Sequence, residues 1–171
     1  LKIGTSFLFI SSRDIAGGAN IAAYRIHKAL IEQGYKSKMI VNHKLSNDDS
    51  VIEIESYSKI IIKNLIDGQW NFPFSYSLGL VIKKLKDWFY KTLTYNGAET
   101  FFYPESKYIL KMINYTPDII QLHNIREFFD IRVLKSWSEH SKIFIRVCDL
   151  WLFTGHCALP LDCDKYITGC G

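Results

Sequence analysis

The sequence predicts an α/β domain built on a doubly wound, mostly parallel sheet. Three observations carry this expectation. Strand-like and helix-like periods alternate along the chain, the first helix-like stretch runs from Asn20 to Gln33 and stops at Gly34, and short runs such as Ile119-Ile120-Gln121-Leu122 have the character of strands buried on both faces. Strands that alternate with helices form parallel sheets covered on both sides, and right-handed crossovers wind them in two directions.

Length and composition agree with that class. A chain of 171 residues fits one domain with its own core, and 48% apolar with 22% charged residues is ordinary for a globular protein. Disordered and collagen-like classes are excluded. No apolar run approaches a membrane span, since Leu8 to Ile10 and Ile60 to Ile62 are interrupted within a few residues. Leu1-Lys2-Ile3 leads into a strand-like stretch and not into a charged leader, so a cytoplasmic protein is expected. The net charge of +4 is too small to imply nucleic acid and fits anionic ligands or an anionic membrane face. The first residue is not Met, and the last lies in a cysteine-rich run, so the chain is expected to be a piece of a longer protein.

The elements follow in order. An apolar stretch from Phe7 to Ile10 reads as the first strand. In the helix that follows, Ala22, Ile26, Ala29 and Leu30 recur at helical spacing, and Gly34 stands where a left-handed cap would end it. Lys38 to Val41 is the second strand, which completes a βαβ unit, and Val51 to Glu55 the third. Residues Ser58 to Ser106 read as mostly helical, most clearly from Leu78 to Leu93. Another helix is expected over Ile109 to Ile113, and Pro117 breaks it before the strand at Ile119 to Leu122. A helix around Ile131 to Trp137 and a strand from Lys142 to Val147 form a last βαβ unit.

In such sheets ligands gather at the carboxyl ends of the strands, which directs attention to three loops. The first carries Gly17-Gly18-Ala19-Asn20 at the entrance to the first helix. Paired glycines let the backbone approach a ligand, and the free amides with the positive end of the helix dipole favour an anion. The alternative is a tight strand-to-helix turn, because neither G-x-G-x-x-G nor a Walker pattern is present. The second loop opens with His123-Asn124, which could meet a sugar hydroxyl or a phosphate or could hold the loop. The third begins Cys148-Asp149, a thiol and a carboxylate facing the same crevice.

These three loops carry a resemblance. The stretch from Gly17 to Leu30, followed by Gly34 to Val41, resembles the first loop, helix and second strand of the family 4 bacterial glycosyltransferases. Pro117-Asp118-Ile119-Ile120-Gln121-Leu122-His123-Asn124 is similar to their P-D-[IV]-[IV]-H-L-H-N strand. Asp149-Leu150-Trp151-Leu152-Phe153-Thr154-Gly155-His156-Cys157, with Cys163 and Cys170 beyond it, is similar to the H-D-M-W-P-F-T-G-H-C segment and cysteine-rich loop of a subgroup that builds surface polysaccharides. The matching segments span roughly half the chain in the family's order.

The resemblance implies a GT-B enzyme of two Rossmann-like domains. Residues 1–171 would be the amino-terminal, acceptor-side domain, and the carboxyl-terminal domain that holds most of the nucleotide sugar would lie outside this chain. The implied reaction is metal-independent transfer of a sugar, with retention, from a nucleotide sugar to a glycan or a lipid-linked acceptor, at the inner membrane face. Gly17, Gly18, Asn20, His123 and Asn124 are the implied substrate-binding residues, and Cys148 and Asp149 the catalytic pair. Cys148 stands where the family has a histidine, and thiol chemistry does not reproduce a neutral imidazole's donor and acceptor. The family's acidic E-x7-E donor motif is absent, so this chain alone is expected not to turn over.

Three further readings accompany this one. Cys157, Cys163 and Cys170 supply thiolates for a structural zinc, although the spacing lacks a C-x2-C pair and free thiols are the simpler expectation; no cofactor is otherwise implied. Lys83, Lys84, Lys86 and Lys91, interleaved with Trp88, Phe89 and Tyr90, would suit an amphipathic helix on anionic lipid or an ordinary solvated helix face. Outside glycosyl transfer, the competing function is a non-catalytic Rossmann-like binding module.

Overall fold

The computed structural model describes residues 4–54, 84–85, 88, 103–126, 128–154, 157–159 and 161–168. The chain divides into two compact units, residues 1–54 with 101–171, and residues 55–100. In the second unit Lys84, Leu85 and Trp88 are helical and exposed; the rest of the helix expected from Leu78 to Leu93 lies outside the described residues.

The first unit is an α/β sandwich around a five-stranded, all-parallel sheet in the order β3-β2-β1-β4-β5. Its strands are β1 Ser6–Arg13, β2 Lys36–His43, β3 Val51–Glu53, β4 Ile119–His123 and β5 Lys142–Arg146. Helix α1, Gly18–Glu32, connects β1 to β2, and α2, Leu134–Trp137, lies between β4 and β5. Two short helices follow, α3 Trp151–Thr154 and α4 Lys165–Thr168. The order reverses between β1 and β4, which makes a topological switch point at that pair. The Rossmann-like, doubly wound class expected from the sequence is what the chain adopts.

Each face of the sheet has its own core. Phe7, Phe9, Met39, Val41 and Val51 pack with Ala23 of α1 on one side. Leu8, Ile10, Ile40, Ile120 and Leu122 pack on the other side with Ile109, Phe129, Val133 and Trp137. The alternation along β1 assigns these faces, because neighbouring side chains on a strand point oppositely. Fully burying each of these side chains contributes about 1.5–3 kcal/mol. Phe129 meets Trp137 edge to face, with ring centroids 5.6 Å apart.

Three elements differ from expectation. Pro104–Met112 forms a 3-10 helix where a helix over Ile109 to Ile113 is expected, and a single 3-10 turn, Ile131–Val133, precedes α2. Pro104 at the first helical position starts the former earlier than the apolar period suggests. The third strand also stops at Glu53, two residues short of Glu55.

A buried polar network ties α1 to the β2–β3 connection. The Ser50 hydroxyl donates to Asp48 Oδ1 at 2.5 Å, and its single proton is thereby used. His27 Nε2, 2.8 Å from Ser50 Oγ, must therefore be the donor in that bond, and Nδ1 accepts from Ser37 Oγ at 2.7 Å. Lys28 Nζ and Tyr24 Oη complete the set on Asp48 Oδ2, both at 2.9 Å.

Candidate functional site

The candidate residues gather at the carboxyl ends of β1 and β4, where α1 begins. Gly17 precedes α1 with φ of 84°, a conformation that strains any residue with a Cβ, and a Cβ there would come 3.2 Å from Asn20 Nδ2. Gly18 has open space around its missing side chain. No side chain caps α1, and no acidic residue occupies its first turn. Its opening amides, which have no intrahelical acceptor, and the positive end of the dipole thus remain available to an anion.

Asn20 shapes this loop. It is buried, and its Oδ1 accepts from Ser11 Oγ at 2.7 Å and Ser12 Oγ at 3.2 Å, while Nδ2 donates to the Ala16 carbonyl at 2.6 Å. Its amide is therefore committed within the chain. Asn124, exposed at the end of β4, donates from Nδ2 to Ser12 Oγ at 3.1 Å. Its φ of 45° lies in the left-handed region that Asn tolerates better than most residues. Ser12 is thus the link between the loop after β4 and the first turn of α1. On the other side of the loop, buried Asp14 accepts from the backbone N–H groups of Leu45 and Ser46 at 3.0 and 2.8 Å, anchoring the segment after β2. Burial pushes its pKa up, and these hydrogen bonds more than offset it, so the carboxyl sits below its ordinary value.

His123 is the last residue of β4 and is fully buried beside Phe9, with ring centroids 6.1 Å apart. Burial, with a smaller effect from Arg146, pulls its pKa down to about 4, which keeps the imidazole neutral. The structure places Cys148 and Asp149 just past β5, both exposed. The Cys148 thiol lies 3.8 Å from the Arg146 carbonyl, and Asp149 Oδ1 accepts from the Trp151 N–H at 3.0 Å, holding the start of α3.

Gly17, Gly18, Asn20, His123 and Asn124 thus lie at one end of the sheet, joined through Ser11 and Ser12, with Asn20 and His123 buried beneath the exposed glycines and Asn124. Cys148 and Asp149 follow β5, the next strand beyond β4. Ser12, Asp14 and Arg146 carry no mark in the sequence, although counting alternate residues along β5 would put Arg146 on the same face as Phe144. Cys157 is half-buried and Cys163 exposed, while Cys170 and His156 lie outside the described residues. Among the described residues no three His, Cys, Asp or Glu side chains converge on a metal position. None of the described helices is long and apolar enough to cross a membrane.

No protein-family model, no curated protein and no solved structure matches this chain.

Proposed function

We propose that this chain is the acceptor-side domain of a retaining glycosyltransferase that moves a sugar from a nucleotide donor to a glycan or lipid-linked acceptor. The observation that carries the reading is the uncapped, glycine-opened amino terminus of α1 at the switch point of a Rossmann-like sheet. That arrangement suits a transfer in which a diphosphate departs, because preorganised amides stabilise developing negative charge without reorganising. Gly17 and Gly18 bring those amides close. Ser12 and Asn124 orient substrate hydroxyls at the rim, and Asp149 and Cys148 flank the reacting centre from β5. The resemblance of these same loops to the family 4 glycosyltransferases supports the assignment, with the donor-binding domain lying outside this chain.

The departure at Cys148 favours a second reading, a binding module that keeps the crevice without the chemistry. One experiment separates the two. The full-length gene product is assayed for hydrolysis and transfer with a panel of sugar nucleotides, beside its Cys148→His variant. Transfer that rises in the variant supports the transferase; binding of a sugar nucleotide without turnover by either protein supports the module; neither binding nor turnover removes both.

A further inference from the structure

Three neighbouring strands bring Ser11, His123 and Arg146 into one row. Ser11 pairs with His123 and His123 with Arg146, and residues in register across a parallel pair point to the same face. That face is the one α1 covers, since Phe9, two residues before Ser11, packs with Ala23, and the Ser11 hydroxyl bonds Asn20 in the first turn of α1. The row therefore ends at the foot of the helix terminus.

Within it, His123 is anomalous. The ring is fully buried, yet neither Nδ1 nor Nε2 makes a hydrogen bond. Neutral imidazole carries one donor and one acceptor, and leaving both unmet in the interior opposes folding. The neighbouring Arg146 is exposed and, among the described residues, forms no ion pair or side-chain hydrogen bond, while its charge acts on the His123 ring. An unmet donor, an unmet acceptor, a free guanidinium and uncapped helix amides lie at the same end of the sheet, spread over three adjacent strands.

We propose that this row is a binding position for the phosphate of a phosphorylated sugar or polyol, with Arg146 and His123 as its side-chain ligands. A guanidinium fork and backbone amides match the oxygens of a phosphate ester. One ring nitrogen of His123 donates to the phosphate, and the other accepts from a hydroxyl of the same substrate, which inorganic phosphate cannot supply in that geometry. The proposal rests on the reading of the crevice as the substrate site, and it adds Arg146 and the nature of the substrate.

The test follows the ring nitrogens of His123 by NMR in the full chain, titrated with glycerol 1-phosphate, inorganic phosphate and glycerol. Saturable shifts with glycerol 1-phosphate, at least fivefold weaker binding of inorganic phosphate, and a tenfold loss in Arg146→Gln are expected. Lys142→Gln, at the other end of β5, serves as the charge control and should leave the affinity unchanged. Unmoved His123 resonances, or equal affinity in Arg146→Gln, would overturn the proposal, and equal binding of both phosphates would remove the sugar or polyol. Phosphate binding in a protein that transfers no sugar would retain this position and sink the transferase reading; sugar transfer indifferent to Arg146→Gln would do the opposite.

Discussion

The Asn20 amide oxygen accepts hydrogen bonds from Ser11 and from Ser12, at 2.7 and 3.2 Å, so a single buried side chain fastens the end of β1 to the first turn of α1. Removing it leaves two hydroxyls and the Ala16 carbonyl without their partner. Asn20→Ala should therefore cost about 2–3 kcal/mol in chemical denaturation, since buried polar groups left unmet cost roughly 1–3 kcal/mol each and part of the loss is regained through water. A change below 0.5 kcal/mol, on the order of an ordinary surface substitution, would show that the clamp contributes little.

The two glycines of the loop should behave differently. Gly17→Ala forces a Cβ into a positive-φ position 3.2 Å from the Asn20 amide, and should lower stability by about 1–2 kcal/mol. Gly18→Ala meets open space and adopts a helical position, so its stability should stay within about 0.5 kcal/mol of the parent or rise. Its effect belongs instead to ligand approach. Thermal melts of both variants, beside phosphate-ester titrations, check the pair; a Gly18→Ala protein as unstable as Gly17→Ala would contradict the geometry.

Acid should destabilise the protein well above the carboxylate range. Burial pulls His27 and His123 each down to about 4 from 6.5, so the unfolded chain binds more protons than the native one as pH falls. Stability is thus fully present above about pH 6.5, is lost progressively down to about pH 4, and each histidine accounts for up to about 3 kcal/mol of the loss. Asp48 has the usual carboxylate sign. Burial raises its pKa, but Lys28, Ser50 and Tyr24 outweigh that and hold it far below the ordinary value, so its contribution fades only below about pH 4. Melting temperatures between pH 4 and 8 report the first window, and His27→Gln should flatten the slope; an unchanged slope would mean that His27 is not buried neutral.

Asp14→Asn tests the anchor of the segment after β2. The two backbone N–H groups of Leu45 and Ser46 have one carboxylate oxygen each, and an amide offers only one acceptor oxygen. A loss of about 1–2 kcal/mol is expected, with faster hydrogen exchange confined to Leu45 and Ser46. Uniform protection in the variant would argue against the anchor.

Much of the sheet was readable from periodicity because β1, β2 and β4 are buried on both faces and α1 keeps a sustained helical stripe ending at Gly34. The helix over Pro104–Met112 was legible only as a shorter helix from Ile109, and its 3-10 character was not, since i, i+3 and i, i+4 spacing look alike over two turns. Gly17, Gly18, His123 and Asn124 were legible as candidates because they stand at or just past the ends of strands. The commitment of Asn20 to Ser11, Ser12 and Ala16 was not, because hydrogen-bond partners nine, eight and four residues back share no period. Nor was the isolation of the His123 ring, which depends on Ser11 and Arg146 beside it in register and on the Phe9 ring packed against it.

Strand β5 ends the described sheet, with Phe144 more than half exposed and Ile145 and Val147 also open to water. Bare edges of this kind invite pairing with another copy. Two copies joined antiparallel about Phe144 would, however, set Lys142 of each against Arg146 of the other, two like-charged contacts at the ends of an apolar centre. In that pairing the described edge is protected by repulsion, and repulsion of that kind is screened within about 8 Å at physiological ionic strength. Colloidal behaviour should accordingly run opposite to that of most proteins at moderate salt: dilute buffer keeps the chains apart, while added salt lets them adhere and scattered light increase.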